Sequence, residues 1–220
     1  MIDQYLQTDV SVTTIFLARH GQSEWNNQSR ITGQLNPGLS PKGRLQSDAI
    51  AQCLADEDIA AIYTSSLQRT IDTARPTAVA KKLPIESRPD LNEINLGVLQ
   101  GRYRDDRDPE AQAMWARWQE NMWEYQVPGA ERFKDLACRA GRALEDILQR
   151  HRGRSALIVG HRGTNRALIG TLLNLPKQRW AELGLRNKFL YRIQKGSVTE
   201  ISTFTLSGSK TGEHNDGFIM

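Results

Sequence analysis

Short apolar runs alternate along the chain with longer segments in which apolar residues recur every three or four positions. The runs at residues 12–18, 59–64 and 155–159 are rich in aliphatic and β-branched side chains, which is typical of buried strands. Helical spacing is clearest over residues 131–151, where one face carries Phe133, Leu136, Ala140, Leu144 and Ile147. This alternation predicts an α/β fold, a three-layer α/β/α sandwich around a mostly parallel central sheet.

Cap and breaker residues predict where several helices begin or bend. Ser40 followed by Pro41 is a typical helix start, because Ser can cap the first turn and Pro lacks an N–H that would have no partner there. Ser65 and Ser66 are expected to cap the next helix. Pro76 should kink or interrupt that helix, because its ring cannot donate the helical hydrogen bond.

Smaller elements fill the rest of the pattern. Ile85 predicts a brief edge strand, and the tryptophan-rich residues 108–124 predict an added helix. Residues 189–193 and 198–204 predict a closing hairpin.

Length and composition favour one soluble domain. The chain has 220 residues, 39% of them hydrophobic and 25% charged, which is enough for one sizeable core. No internal repeat or long linker divides it, so we expect a single domain over residues 1–220. The ends, residues 1–10 and 207–220, are expected to be flexible.

Charge and hydropathy exclude several classes of protein. The net charge of +4 suits an anionic small molecule, and without a Lys/Arg run we expect no nucleic-acid partner. No apolar stretch reaches the ~20 residues that span a bilayer, so no membrane partner is expected. Asp3 lies where a signal peptide would be basic, which favours a cytoplasmic protein. No ligand-type spacing of His, Cys and Asp occurs, so we expect no metal and no other cofactor.

Two of the predicted strands end in a histidine. The first is followed by Arg19, His20 and Gly21, and a later one by Gly160 and His161. Because the carboxyl ends of parallel strands share one edge of a sheet, the two imidazoles are expected to meet there.

Two further polar residues accompany the histidines. Arg69 lies one turn into the helix that follows a third strand, and Glu93 lies in a loop-like segment among apolar neighbours.

The ordered set of these segments resembles the histidine phosphatase superfamily, the phosphoglycerate-mutase-like or RHG group. The matching segments are LARHGQSEWN at 17–26, RITG at 30–33, SSLQR at 65–69 with Thr73 and Ala74, LNE at 91–93 with Gly97, Gln100 and Gly101, PGAE at 128–131, and VGH at 159–161.

The resemblance implies a role for each matching residue, and it implies a step that uses no metal. His20 would be the nucleophile and Glu93 the proton donor. The phosphoryl oxygens would be held by Arg19, Arg69, His161 and Asn26. Substrate contacts would come from Ser23, Thr32 and Gly33, although Ser23, Asn26, Thr32 and Gly33 are equally residues of helix caps and turns.

The chemistry of these residue types agrees with those roles. Guanidinium groups and an imidazolium can neutralise the charge on a phosphoryl group in transfer without a metal ion. A neutral imidazole is a competent nucleophile when its other nitrogen is held by a hydrogen bond. A carboxylic acid that protonates the leaving alkoxide typically contributes about 10²- to 10⁴-fold in rate.

The sequence favours a hydrolase over a mutase. A hydrolase transfers the phosphoryl group to water, whereas a mutase returns it to a phosphoglycerate. Leu96 stands where the mutases of this family usually place a Tyr, and the segment between Glu93 and His161 is short for a mutase lid and lacks a tandem Arg pair. Arg104 falls where mutases carry a basic residue, and it is either a ligand for a second anionic group or a surface charge beside acidic neighbours. Arg162, after His161, stands where a small residue is common.

The sequence therefore predicts a metal-independent phosphomonoesterase that hydrolyses a small phosphorylated metabolite through a phosphohistidine. A phosphoglycerate mutase and a phosphometabolite-binding relative with little turnover are the alternatives. A homodimer is left open.

Overall fold

A seven-stranded sheet forms the centre of this computed structural model, which describes residues 11–206 and 214–216. The strands are β1 (Thr13–Arg19), β2 (Ile59–Thr64), β3 (Ile85–Ser87), β4 (Ser155–Gly160), β5 (Phe189–Lys195), β6 (Thr199–Thr205) and β7 (His214–Asp216). The α-helices are α1 (Glu24–Asn27), α2 (Pro41–Cys53), α3 (Gln68–Lys81), α4 (Pro109–Glu120), α5 (Phe133–Arg150) and α6 (Arg162–Leu172). Three 3-10 turns occur at Pro89–Leu91, Gly97–Leu99 and Lys177–Glu182.

The sheet has a parallel half and an antiparallel half. Its strand order is β3-β2-β4-β1-β5-β6-β7, with parallel pairing from β3 to β1 and antiparallel pairing from β1 to β7. The predicted hairpin is confirmed as β5 and β6. The carboxyl ends of β1, β2 and β4 consequently lie side by side at one edge of the sheet.

Two apolar clusters cover the two faces of the sheet. On β1, Ile15 and Leu17 belong to the cluster that also contains the apolar faces of α5 and α6, whereas Phe16 and Ala18 belong to the cluster that contains those of α2 and α3. Alternate strand residues point to opposite faces, so each face of β1 buries its own pair. The predicted three-layer α/β/α sandwich is confirmed.

Helix α5 confirms the clearest pattern in the sequence. All five residues of its predicted apolar face are at most 1% exposed. Fully burying one such large apolar side chain contributes about 1.5–3 kcal/mol. Tertiary packing of this face therefore stabilises α5, although the sequence contains no side-chain cap for its first turn.

The predicted helix boundaries near Ser40 and Pro76 have opposite outcomes. Ser40 caps α2, its Oγ accepting the Gly43 N–H at 3.1 Å, as expected. Helix α3, however, continues through Pro76 to Lys81, so of the two predicted effects, a kink or an interruption, the interruption is wrong. An interior Pro costs a helix about 3 kcal/mol. The burial of Thr73, Ala74 and Thr77 around Pro76 offsets that cost.

The ends of the chain differ in part from the sequence expectation. Residues 1–10, 207–213 and 217–220, which were expected to be flexible, lie outside the described residues. Within the expected flexible tail, residues 214–216 instead form β7, because β6 leaves an edge with which they pair in antiparallel register. Among the described residues, no helix combines the length and apolarity that crossing a membrane requires.

Candidate active site

The two histidines that follow β1 and β4 meet at the carboxyl edge of the sheet. Arg19 pairs in register with Gly160, and the His20 N–H donates to the Gly160 carbonyl at 2.9 Å. The ring centroids of His20 and His161 are 5.2 Å apart. Parallel pairing of β1 with β4 thus brings together residues that are 141 positions apart in the chain, as the sequence predicts.

A cavity of about 320 Å³ opens in front of His20. Eight of the ten predicted site residues line it: Arg19, His20, Asn26, Thr32, Gly33, Arg69, Glu93 and Arg104. His161 lies behind this wall, fully buried against Arg69. Ser23 is also fully buried and does not line the cavity.

His20 is held as a neutral imidazole with its reactive nitrogen uncommitted. Its Nδ1 lies 2.8 Å from the Gly21 carbonyl oxygen, which can only accept, so Nδ1 carries the proton. Burial, followed by the positive charges of Arg69 and Arg19, holds the pKa of His20 well below its ordinary value of 6.5. The remaining lone pair is therefore on Nε2, the nitrogen that a nucleophile needs.

His161 is held in the opposite tautomer by a chain of hydroxyl groups. Arg69 Nη2, a donor only, lies 3.1 Å from Nδ1, and Nε2 lies 2.7 Å from Ser65 Oγ. Ser65 Oγ continues to Thr70 Oγ1 at 2.8 Å, which donates to the Leu67 carbonyl. Burial and then Arg69 hold the pKa of His161 well below 6.5.

Ser65 therefore has a role that the sequence analysis missed. It was expected to cap α3, but the N-cap residue of that helix is Leu67, which has no side-chain cap. The hydroxyl of Ser65 instead accepts the Leu67 N–H and orients His161. Only the pairing of β2 with β4 places Ser65 beside His161, so no local signal could have found this contact.

Arg69 and Arg19 supply buried positive charge beside His20. Arg69 is 1% exposed, and it donates to the carbonyls of Leu35 at 2.6 Å and Gly33 at 2.9 Å. Burial lowers the pKa of each guanidinium to about 10, so both stay protonated at neutral pH. The buried Nε of each has no hydrogen-bond partner among the described residues, which leaves donors for an incoming anion.

Glu93 directs its carboxylate at the first turn of α6. Its two oxygens accept the N–H groups of Ile94, Gly163 and Thr164 at 3.0–3.3 Å. The positive end of a helix stabilises a carboxylate in that position. A side chain at Gly163 would collide with the Glu93 carboxylate, so the glycine that follows Arg162 makes this approach possible.

Asn26 and Ser23 form a reciprocal cap of α1. The Asn26 N–H donates to Ser23 Oγ, and the Ser23 N–H donates to Asn26 Oδ1. Asn26 still lines the cavity, whereas Ser23 is committed to the cap. This arrangement corrects the predicted substrate contact of Ser23, because a fully buried capping hydroxyl does not reach the cavity.

Arg104 faces the cavity and does not pair with its acidic neighbours. Its acidic neighbours are Asp105 and Asp106; Asp105 pairs with Arg107 at 2.6 Å, and among the described residues neither aspartate forms an ion pair with Arg104. This placement favours the anion-binding alternative for Arg104 over the surface-charge alternative.

Other lining residues lie outside the predicted site set. Arg162 and Leu96 were noted in the sequence as departures from the family pattern, and both line the cavity. Trp115 and Arg186 were not predicted, because they come from the added helix α4 and from the loop before β5, which carry no motif.

A family model for the histidine phosphatase superfamily (branch 1) matches residues 15–199. The chain belongs to this superfamily. Relatives named "Probable phosphoglycerate mutase GpmB" are similar over 81% of this chain and 83% of their own length. The protein from Serratia proteamaculans (strain 568) is 34% identical over 179 residues, and that from Yersinia enterocolitica serotype O:8 is 35% identical over 180.

Solved structures of superfamily members carry hydrolase and phosphatase names. Mycobacterial hydrolase 1 is 30% identical with a TM-score of 0.75, covering 83% of this chain and 92% of its own. A mycobacterial glucosyl-3-phosphoglycerate phosphatase in complex with VO3 is 30% identical with a TM-score of 0.74, covering 84% and 97%. The superfamily member described here is accordingly a phosphatase or a mutase.

The described part of this superfamily member contains no group of three or more His, Cys, Asp or Glu side chains suited to hold a metal ion. Positive charge at the site comes instead from guanidinium groups.

Acidification should destabilise the folded protein before its carboxylates titrate. Unfolded imidazoles take up protons near pH 6.5, whereas the pKa values of His20 and His161 in the folded protein lie well below that. Below about pH 6.5 the unfolded state therefore binds more protons, and each imidazole removes up to about 1.4 kcal/mol per pH unit. Urea unfolding at about pH 7.5, 6.5 and 5.5 measures this loss.

A histidine variant provides the control for this titration. In His161→Gln, the amide can still contact Arg69 and Ser65, and about a third to a half of the pH dependence should disappear, since burial also lowers the pKa of His151. A free energy of unfolding that stays level over this pH range would contradict the assignment of two neutral buried imidazoles.

Proposed function

We propose that the protein is a metal-independent phosphomonoesterase that hydrolyses a small phosphorylated metabolite through a phosphohistidine at His20. One observation carries the proposal: the free Nε2 of a neutral His20, the guanidinium groups of Arg19 and Arg69, and the Glu93 carboxyl all face one cavity. This set contains a nucleophile, a charge-neutralising group and a proton donor. A cytoplasmic location and a homodimer stay predictions.

In the first half of the reaction, the phosphoryl group moves from the ester to His20. Nε2 attacks phosphorus, an N–P bond forms, and the P–O bond to the leaving group breaks. Arg19 and Arg69 stabilise the charge on the phosphoryl oxygens, the Arg guanidinium being able to donate two parallel hydrogen bonds. The protonated carboxyl of Glu93 gives its proton to the leaving oxygen, because an alkoxide is otherwise a poor leaving group.

In the second half, water takes the phosphoryl group from His20. Glu93, now a carboxylate, removes a proton from the water while its oxygen bonds to phosphorus and the N–P bond breaks. Inorganic phosphate leaves, and the His20 Nε2 lone pair is restored. His161, behind the cavity wall, supports the reaction indirectly, because its Nδ1 accepts from Arg69 Nη2 and so helps to orient that guanidinium beside the phosphoryl group.

The wall of the cavity supports hydrolysis over phosphoryl return to a phosphoglycerate. Leu96 is 4% exposed and presents an apolar side chain to the cavity, with no hydroxyl to hold a glycerate in place. Between Glu93 and His161 the chain forms only the helices α4 and α5 as long elements, and α5 is packed against the sheet. The names of the relatives favour the mutase as the second candidate.

Product analysis separates the two candidates. With 3-phosphoglycerate, primed by 2,3-bisphosphoglycerate, we expect release of inorganic phosphate to exceed isomerisation, measured together by phosphorus NMR. EDTA should leave the rate of p-nitrophenyl phosphate hydrolysis unchanged. Isomerisation faster than phosphate release would assign the mutase function, and the absence of any turnover would favour a binding protein.

A further inference from the structure

Four arginines line the cavity apart from the pair that faces the phosphoryl group, and three of them are considered together. Arg104 comes from the loop before α4, Arg162 from the start of α6 and Arg186 from the loop before β5. We refer to these three as the outer arginines. They reach one cavity from three separate segments, so no single helix or loop motif accounts for their convergence.

The outer arginines have no carboxylate partner. Within residues 11–206 and 214–216, no acidic side chain lies within 4 Å of any of their guanidinium groups, and the buried Nε of Arg162 lacks a hydrogen-bond partner. Glu93, the one acidic residue of the cavity wall, is engaged by three backbone N–H groups. The carboxylate that shares the cavity wall with the outer arginines is therefore held by α6.

Arg30 also lines the cavity but is committed to the structure. Its guanidinium stacks over Trp25 at 3.9 Å and donates to the Gly101 carbonyl at 2.9 Å. It is therefore not one of the outer arginines.

A charge count shows what the cavity lacks. Arg19 and Arg69 together match the two negative charges of a phosphomonoester dianion, while the neutral His20 and His161 add none. The outer arginines and Arg30 then bring four positive charges against the single negative charge of Glu93. Burial and then Arg104 lower the pKa of Arg162, Glu93 opposes this shift, and Arg186 adds to it, which agrees with repulsion among the outer arginines. A second anion would relieve this repulsion.

We propose that the outer arginines form a second anion subsite, so that the substrate is a small phosphomonoester with a second anionic group, either a carboxylate or a second phosphoryl group. This inference rests on the proposed function, because it treats the first anion as the ester to be hydrolysed. Arginine suits both second groups, since its planar fork binds carboxylate and phosphate oxygens in pairs.

The rest of the wall limits the size of the carbon skeleton. Ile31, Leu96 and Trp115 give the cavity apolar surfaces beside its cations. A volume of about 320 Å³ is near the lower end of the range for ligand pockets. The two anionic groups are therefore carried on a compact skeleton.

Three esters on a three-carbon skeleton test the subsite: glycerol 3-phosphate, 3-phosphoglycerate and propane-1,3-diyl bisphosphate. Only the last two carry a second anion, a carboxylate and a phosphoryl group respectively. Total turnover, as released phosphate plus isomerised ester, should give a kcat/KM about 30-fold higher for at least one of them than for glycerol 3-phosphate, as charge-assisted hydrogen bonds would provide. Comparing 3-phosphoglycerate with the bisphosphate identifies whether the second group is a carboxylate or a phosphoryl group.

Variants test whether the outer arginines cause the higher kcat/KM for esters with a second anionic group. In the double variant Arg162→Met, Arg186→Met, the preference should fall to about threefold or less. Arg117→Met, which removes an exposed arginine of α4 outside the cavity wall, should keep it. Equal kcat/KM for all three esters, or an unchanged preference in the double variant, would overturn the subsite.

Failure of the hydrolase proposal can be distinguished from failure of the second anion subsite. If the protein releases phosphate from none of these esters and none from p-nitrophenyl phosphate, the hydrolase proposal fails. Calorimetric binding of 3-phosphoglycerate and glycerol 3-phosphate to the unmodified protein then decides the subsite. Tighter binding of 3-phosphoglycerate, lost in the double variant, would support the subsite, and equal binding would overturn it.

Discussion

Replacing His20 by Ala lowers kcat/KM for p-nitrophenyl phosphate by about 10⁴-fold or more. The loss is large because no other side chain in the cavity wall offers a neutral nitrogen with an uncommitted lone pair. His161 is buried behind the wall, with both ring nitrogens hydrogen-bonded to Arg69 and Ser65. Arg19 and Arg69 would still bind the phosphate, so the variant should retain affinity for inorganic phosphate.

Trapping the phosphorylated protein tests the same assignment directly. The protein reacts with an ester that is labelled in its phosphoryl group, and the reaction is then stopped rapidly without acid. The unmodified protein should carry an acid-labile, alkali-stable phosphoryl group, and His20→Ala should carry none. The matched control is His151→Ala, because His151 lies at the end of α5, hydrogen-bonded to Tyr63 and outside the cavity wall. That control should keep normal turnover. Normal turnover in His20→Ala would remove His20 as the nucleophile.

Replacing Glu93 by Gln separates substrates according to their leaving groups. For glycerol 3-phosphate, whose alkoxide must be protonated, we expect kcat to fall about 10²- to 10⁴-fold. For p-nitrophenyl phosphate, whose phenolate leaves without a proton, the transfer to His20 should be affected much less. The amide keeps the shape of the carboxyl group but cannot act as an acid or a base.

The structural role of Glu93 requires a stability control. Its carboxylate accepts hydrogen bonds from the first turn of α6, and the variant loses part of that interaction. Thermal unfolding of Glu93→Gln, compared with the exposed-residue control Glu145→Gln, measures this effect independently of turnover. A single-turnover burst of p-nitrophenol isolates the transfer step from the later attack of water. Equal losses for the alkyl and aryl esters in that step would rule out the proton-donor role.

Residues whose role depends on local spacing were predictable from the sequence. The apolar face of α5, the cap at Ser40 and the strands β1, β2 and β4 follow from periodicity and from turn chemistry. His20 and His161 could be placed together because parallel strands share their carboxyl edge. Family resemblance then added Arg69 and Glu93 to the same cavity.

Residues whose role depends on a distant partner were not predictable in this way. Ser65 reads as a helix cap in the sequence, yet it orients a histidine 96 positions away. Ser23 is the reverse case, since a family motif suggested a substrate contact and the fold uses it as a cap. Pro76 reads as a helix breaker, but packing of α3 on the sheet outweighs its local cost.

By itself, the sequence determined the order of the main strands and helices, the superfamily and the residues proposed for the reaction centre, because these depend on periodicity and on short motifs. Only the tertiary structure decided the tautomers of His20 and His161, the docking of Glu93 on α6 and the convergence of Arg104, Arg162 and Arg186. These features arise from contacts between residues far apart in the chain. Hydrogen-bond partners and uncompensated charge are properties of such contacts, and linear spacing carries no information about them.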